Sequence, residues 1–412
     1  MEYLANVTGS ILTPLFAVFL IAMLGYALGG IKIKGISLGT AGVLVVALLY
    51  GIIATKISYV DADGTVVTGA FKLGDKVINL FNSTVKSNYS FVSNLGTDLF
   101  VTAVGLIAGP KFFRNFNKKT IGYVLMGIVV ILTGGLITVA VIKLFGVEKP
   151  MALGLMTGAL TSTPGLSSAK EMFEAGSDAE ALVTAGYGIA YLFGVLGVVF
   201  FVQLMPKFLK TDVKAEREYV EAANAHTPHD DGKKRFRLDP MGFFPFMLTV
   251  VLGIILGSFK IPGINFSLGS SGGVLVMGLI VGHFGHFFGI DLRVDKKTTN
   301  FFRELGLCLF LIGAGVPGGA NFVQNVKLSY FLFGIAITVL PMVVGYLFGR
   351  YVFKFRIFNN LASITGGMTS TPALGTLISV AGTDEISGSY AATYPIALVL
   401  VVLFSKIIAM VL

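Results

Sequence analysis

Charge is scarce in this 412-residue sequence, tryptophan is absent and cysteine occurs once. Asp, Glu, Lys and Arg supply 13% of the residues, about half of the roughly 25% usual in soluble domains. That scarcity argues against a water-exposed globule. The lone Cys308 excludes an intrachain disulfide and a cysteine-built metal cage. Without Trp, any aromatic belt at a membrane interface falls to Tyr and Phe. Met1 to Ser10 lack a basic segment, so the apolar run that follows reads as a retained first span instead of a cleaved signal.

Hydrophobic residues make up 54% of the chain and 52 glycines sit largely inside the apolar runs. Runs of this kind recur along the whole length, and about 20 apolar residues suffice for a helix to cross a bilayer core of roughly 30 Å. The net charge of +9 is carried mostly by short connections, which speaks for membrane topology and not for nucleic acid.

Comparing the sequence with itself is more informative. Ile36–Ile52 resembles Phe266–Gly282, Leu95–Phe113 resembles Leu305–Val323, TGALTSTPGL at Thr157–Leu166 resembles TGGMTSTPAL at Thr365–Leu374, and Thr184–Tyr191 resembles Ser387–Tyr394. The order is the same in both series. The chain therefore divides into a first membrane repeat, 1–205, a charged cytoplasmic linker, 206–240, carrying a short helix near Asp212–Ala225, and a second repeat, 241–412. Six apolar segments fall in each half, near 11–29, 38–54, 95–112, 120–146, 151–168 and 181–205, and near 242–259, 267–287, 303–320, 328–349, 360–379 and 388–412. Residues 56–94 read as an extracellular insertion with a turn at Ala62–Gly64.

Basic residues orient the halves. Lys111, Arg114, Lys118 and Lys119 follow the third segment of the first half, where the second half has only Lys327; Arg350, Lys354 and Arg356 follow the fourth segment of the second half. The basic side has swapped, as expected for inverted repeats. Inversion needs an odd number of crossings, so each half is expected to hold five spans and one segment that enters and returns. The fifth is the candidate, because TSTP interrupts it. Two parallel six-span halves are the alternative. The expected fold is thus an all-α integral membrane protein of two inverted repeats, each of about five transmembrane helices plus one re-entrant, discontinuous segment, with both termini outside.

Each TSTP reads as a break between two half-helices. Thr163 with Pro164, and Thr371 with Pro372, look like an N-cap and first-turn pair, while Gly176 and Gly382 look like C-caps. A break in hydrocarbon persists only beside protein or water, and free N–H groups at a helix start attract anions. The expected substrate site therefore comprises Gly158, Thr161, Ser162, Thr163, Pro164, Gly366, Thr369, Ser370, Thr371 and Pro372. Asp98, placed at the start of the third segment, is a candidate coupling group, with an interfacial position as the competing role, and Tyr187, Tyr191, Tyr390 and Tyr394 are candidate pocket residues, with core packing as the competing role for each. His283 and His286 have metal-compatible spacing but no acidic or cysteine partner, so no metal site is expected. Lys406 is expected to snorkel, and Arg303 to pair with Glu304 at the interface.

The paired G-x-x-T-S-T-P-[GA]-L motifs, together with GLIAGPKFFRNF at Gly105–Phe116, resemble the aspartate–alanine exchanger family of bacterial transporters. The resemblance covers nearly the whole chain. It implies exchange of amino acids or dicarboxylates across the bacterial cytoplasmic membrane by ten spans. Family members usually carry soluble regulatory modules between the halves, where this chain has only 206–240; VPGGANFV also departs from the GPKFF of the first half. The expected function is an elevator-type exchanger or ion-coupled carrier of small carboxylates such as aspartate, alanine or C4-dicarboxylates. Segments three to six of each half would move against a scaffold made of segments one and two. The expected partners are a small anionic or zwitterionic substrate, the lipid bilayer and a second copy in a homodimer, with no cofactor and no catalytic residues. A sodium/proton antiporter of similar architecture would want acidic residues at the breaks, which carry none; a channel is a further alternative, and a membrane enzyme lacks a catalytic pair.

Overall fold

The computed structural model describes residues 11–33, 36–37, 40–61, 63–73, 76–114, 121–224, 236–261, 266–287, 289–325 and 327–412. Expectations that touch Ala62, Lys118, Lys119 and Ala225 lie outside these residues. The first half contains α1 (Pro14–Gly30), α2 (Ala41–Lys56), α3 (Ser83–Arg114), α4 (Ile121–Phe145), α5 (Lys149–Ala159), α6 (Thr163–Lys170) and α7 (Asp178–Phe208). A linker helix, α8 (Val213–Asn224), follows. The second half repeats the order as α9 (Phe243–Ser258), α10 (Gly269–Phe284), α11 (Lys296–Asn325), α12 (Leu328–Leu347), α13 (Ile357–Gly367), α14 (Thr371–Ala381) and α15 (Ser387–Val411). Two-stranded antiparallel hairpins join α1 to α2 (β1, Lys32–Ile33; β2, Ile36–Ser37) and α9 to α10 (β7, Lys260–Ile261; β8, Phe266–Ser267).

This is a multi-pass, all-α membrane architecture. Among the described residues six helices are long and apolar enough to cross a bilayer, namely α3, α4, α7, α11, α12 and α15; α1, α2, α9 and α10 are shorter apolar helices. The short ones, at 16 or 17 residues, reach about 25 Å at 1.5 Å per residue.

Two sequence expectations need correction here. The insertion is shorter than 56–94: it forms two hairpins, β3 (Ser58–Val60) with β4 (Val66–Thr68) and β5 (Ala70–Leu73) with β6 (Lys76–Asn79), and α3 then begins at Ser83. The polar stretch before Asn94 hid this start. Asp98 consequently lies in the middle of a 32-residue helix, not at its beginning.

Helix directions follow from paired contacts. Gly127 of α4 packs on Thr393 and Gly135 on Phe404, so α4 and α15 are parallel. Gly345 of α12 packs on Met126 and Val130 near the start of α4, while Phe333 meets Phe145 at its end, so α12 is antiparallel to α4. The ends of the bundle can be named the Tyr123 end and the Phe145 end. Gly154 and Gly158 of α5 pack successively along Val183 to Tyr191, making α5 parallel to α7. In α6 Thr163 meets Tyr187 and Lys170 meets Glu180, the reverse direction. Together α5 and α6 form a helical hairpin that enters from the Phe145 end and turns at Leu160–Ser162. Its counterpart, α13 and α14, starts beside the end of α12, where Gly349 packs on Asn360, and returns to the start of α15, where Thr393 bonds Tyr123. That hairpin enters from the Tyr123 end.

Glycine explains how the long helices cross so closely. A Cβ on Gly96 of α3 would collide with the backbone of Phe310, and one on Gly306 of α11 with the backbone of Phe100. Gly105 and Gly109 of α3 lie on the backbone of α10, and Gly319 of α11 lies on that of α2. Small residues of this kind let membrane helices pack backbone to backbone, where apolar burial gives no drive. Segment three of each half thus packs backbone to backbone on these pairs, α3 on α10 and α11 on α2, whereas the sequence reading grouped it with segments four to six.

Candidate functional site

The two hairpin tips meet. Thr161 Oγ1 donates to the carbonyl of Met368 at 2.8 Å, and Thr369 Oγ1 donates to the carbonyl of Leu160 at 2.9 Å. Both threonines have φ of 51°, the left-handed region. Their local geometry is the same. Thr161 N–H bonds Gly158 O and Ser162 N–H bonds Thr157 O, as Thr369 does with Gly366 and Ser370 with Thr365. This is the Schellman ending of a helix, with threonine where glycine is usual. The left-handed conformation costs a non-glycine residue about 1–2 kcal/mol. Here each hydroxyl is fixed on the opposite hairpin, so the strain is repaid across the contact.

The second half-helices start one residue earlier than expected. Ser162, not Thr163, is the N-cap of α6: its Oγ accepts from Gly165 N–H at 3.1 Å, and Pro164 sits in the first turn. Ser370 holds the same position before α14, yet its buried Oγ has no partner among the described residues. Thr371 and Pro372 open α14 as Thr163 and Pro164 open α6. Gly382, with φ of 69°, does cap α14. Gly176 does not cap α6, which already stops at Lys170 with Glu171 as C-cap.

A cavity of about 890 Å³ runs from these tips toward the Tyr123 end. Thr161, Thr163, Pro164 and Thr369 form its floor, with Tyr191, Tyr390 and Tyr394 on its walls. Tyr390 and Tyr394 stack at 5.0 Å between ring centroids, matching Tyr187 and Tyr191 at 4.8 Å. Tyr187 is fully buried and lies behind the wall, 3.4 Å from Thr163 Oγ1. Gly158 and Gly366 are packed beneath the tips on the Tyr187 and Tyr390 backbones, and do not line the cavity.

Asp98 is not on the cavity. Its Oδ1 accepts from Ser270 at 2.6 Å, on the far side of the tips. Lys406 does not snorkel: it is 3% exposed and pairs with Glu171 at 3.0 Å, because the end of α6 brings a carboxylate within its reach. His286 Nδ1 lies 2.7 Å from the carbonyl of Phe284, in the turn after α10.

Sequence reasoning missed the mouth of the cavity. Arg293, Lys296, Asn300 and Arg303 line it, with Glu304 paired to Arg303 at 2.8 Å. Only the run of basic residues in this connection hinted at it. Arg293 grips Asp291 through two hydrogen bonds of 2.9 and 3.1 Å. Burial pushes the Asp291 carboxyl up, but the Arg293 bonds and the Arg237 charge outweigh it and hold the group below its ordinary value.

Residues 64–207 and 245–410 match the family described as a "predicted permease membrane region", Asp-Al_Ex. The chain belongs to the aspartate–alanine exchanger family. The two matched stretches leave residues 1–63 and 208–244 unmatched, the second of which holds most of the linker. An uncharacterized transporter of Bacteroides fragilis (strain YCH46) is 27% identical, the match covering 96% of this chain and 97% of that one. One from Desulfotalea psychrophila is 23% identical, with 96% of each covered. The first alignment extends over 554 positions, more than the 412 residues here, so that relative has residues without a counterpart in this exchanger-family chain. The family, the relatives and the apolar helices together make this chain a multi-pass membrane transporter.

Proposed function

We propose that this transporter carries small carboxylates, such as aspartate, alanine or C4-dicarboxylates, by exchange or ion coupling, and that they bind at the paired TSTP tips. The observation that carries the reading is a cavity with a neutral, hydroxyl-bearing floor and a basic mouth, closed at one end by two reciprocal hairpins. Helix starts and hydroxyls at such a floor suit a carboxylate. The lack of acidic residues on the floor disfavours a cation antiporter.

The halves are read as inverted repeats. In support, α4 and α12 are antiparallel, α3 and α11 are antiparallel, and the hairpins enter from opposite ends. On this reading the short apolar helices complete ten spans and the hairpins are re-entrant. The Tyr123 end is the cytoplasmic end, because the linker, Arg350, Lys354 and Arg356 gather there; the termini and the β3–β6 hairpins are then extracellular, in a bacterial cytoplasmic membrane. The scaffold comprises α1–α3 and α9–α11, with the homodimer contact on α1 and α9. The moving unit comprises α4–α7 and α12–α15 and carries both tips past the scaffold in elevator fashion.

Reconstituted protein loaded with unlabelled candidate acids and offered labelled aspartate, succinate or glutamate tests the function. Trans-stimulated uptake is expected, with loss in Thr163→Ala combined with Thr371→Ala. Uptake untouched by that pair removes the tips from the mechanism.

A further inference from the structure

The two ends of the bundle differ where the repeated order alone would make them alike. At the Tyr123 end the cavity separates α14 and the start of α15 from α3 and α11. At the Phe145 end the equivalent space is shut. Thr184 of α7 fills the notch at Gly318 of α11, and Leu48 of α2 fills that at Gly188. The end of α6 reaches across through two charged side chains, and Ser167 Oγ adds a bond of 3.4 Å to Thr97 Oγ1 of α3. Lys170 Nζ donates to Ser93 Oγ of α3 at 3.2 Å and lies 6.0 Å over the ring of Phe310 of α11. Glu171 Oε1 accepts from the backbone N–H of Ser271, in the first turn of α10, at 2.9 Å. The matching positions on α14 are Ile378 and Ser379, which carry no charge, and Ser379 bonds its own helix at Gly375.

The partners divide in a telling way. Lys170 has its counter-ion on α7, Glu180 at 3.1 Å, and Glu171 has its own on α15, Lys406 at 3.0 Å. Both counter-ions belong to the same group of helices as α6. The hydrogen-bond partners that α3 and α10 offer these two side chains are neutral, a hydroxyl and an amide; Asp98 of α3, bonded to Ser270, faces Glu171 as a like charge and does not hold it. Separating a buried ion pair strands a bare charge and is costly, whereas a hydrogen bond to a neutral group is far cheaper to give up. The end of α6 can therefore leave α3 and α10 with both charges still compensated.

We propose, resting on the two-unit reading above, that Lys170 and Glu171 are the gating residues of the Phe145 end: they seal it while the cavity is open at the Tyr123 end, and let go of Ser93 and Ser271 when the chain opens the other way. The ion pairs to Glu180 and Lys406 travel with them.

Accessibility of a buried thiol tests this. Thr184→Cys, in a Cys308→Ser background, places a near-isosteric thiol at a position 1% exposed in the closed seam. A charged, membrane-impermeant methanethiosulfonate is added to intact cells and, separately, to inverted vesicles. Ser93→Ala, which removes only the neutral partner, is expected to raise the labelling rate about tenfold from one face only, a shift typical of a lost hydrogen bond to a charged group. Lys170→Met is expected to act in the same direction, and Lys170→Arg to restore slow labelling. Unchanged labelling in folded Ser93→Ala protein overturns the gate, as does an equal rise from both faces, which signals loosening of the whole bundle. Exchange measured in parallel separates the two levels: a labelling response without transport of any offered acid leaves the gate standing and removes the substrate assignment, while robust exchange with no labelling response removes the gate alone.

Discussion

Thr161 and Thr369 complete each other's hairpin: each hydroxyl donates to the carbonyl just before the other, at 2.8 and 2.9 Å. Thr161→Val and Thr369→Val keep shape and backbone preference but remove one bond each and strand a buried carbonyl. Each is expected to cost roughly 1–3 kcal/mol. Because the two bonds share one contact, the double variant should cost less than the two singles together. Thermal unfolding in detergent, run as a double-mutant cycle, checks this; strict additivity would mean that the tips do not act as one unit.

Glycine at the same site separates strain from bonding. Thr161→Gly relieves the left-handed backbone by about 1–2 kcal/mol against the same roughly 1–3 kcal/mol for the lost bond and stranded carbonyl. Its melting temperature should therefore lie clearly above that of Thr161→Val, while exchange falls in both, because the tip is no longer pinned to Met368. Equal melting temperatures for the two variants would contradict the strain assigned to φ of 51°.

Much of this was legible in the sequence, and the failures have physical causes. Repetition of TSTP located both hairpins, and the swap of basic residues is the sequence ground for the inversion proposed above. The N-cap was misplaced by one residue because Thr-Pro is a strong local signal, whereas the preceding serine does the capping from a helix ending only the fold reveals. Asp98 was misplaced because the start of α3 is amphipathic, and hydropathy alone cannot see a polar helix start. Lys406 and Glu171, 235 residues apart, meet only through the crossing of α6 and α15, which no local pattern encodes. The cavity mouth was missed for the same reason: Arg293 and Arg303 look like ordinary loop and interface charges until α10 and α11 fold over the tips.

The crossing of α3 and α11 should tolerate no side chain at its centre. Gly96→Ala and Gly306→Ala each drive a Cβ into the partner's backbone, and overpacking of this kind typically costs about 1–3 kcal/mol. Gly388→Ala, where nothing lies within 4 Å of the added carbon, is the control and should be neutral. Yield of monodisperse protein and melting temperature rank the three; equal behaviour would contradict the crossing.

The start of α9 should respond to pH. Asp239 accepts from the backbone N–H groups of Phe244, Phe243 and Met241, and its carboxyl is held below its ordinary value, the Phe244 bond first among the causes. A depressed folded pKa means the cap is fully present above the unfolded value, about 3.9, and is lost as pH falls through the folded one. Exchange protection of the Phe243 and Phe244 amides should therefore persist at pH 5 and above, after correction for intrinsic rates, and weaken only in stronger acid. Asp239→Ala should remove it at every pH, and protection that survives in that variant would show that the carboxylate does not cap the helix.

Inversion makes the sharpest demand on topology. Glu148 lies between α4 and α5, beside the Phe145 end, and Lys354 follows α12 beside the Tyr123 end. In a parallel arrangement these connections, which follow the fourth long segment of each half, would face the same side. In the antiparallel bundle they face opposite sides, because Phe333 near the start of α12 meets Phe145 at the end of α4 while Gly345 reaches back to Met126. Glu148→Cys and Lys354→Cys, each in a Cys308→Ser background, should be modified by an impermeant thiol reagent from opposite faces of the membrane, Glu148→Cys in intact cells and Lys354→Cys only in inverted vesicles. Modification of both from one face would end the inverted-repeat reading and, with it, the meeting of two re-entrant hairpins at the centre of the membrane.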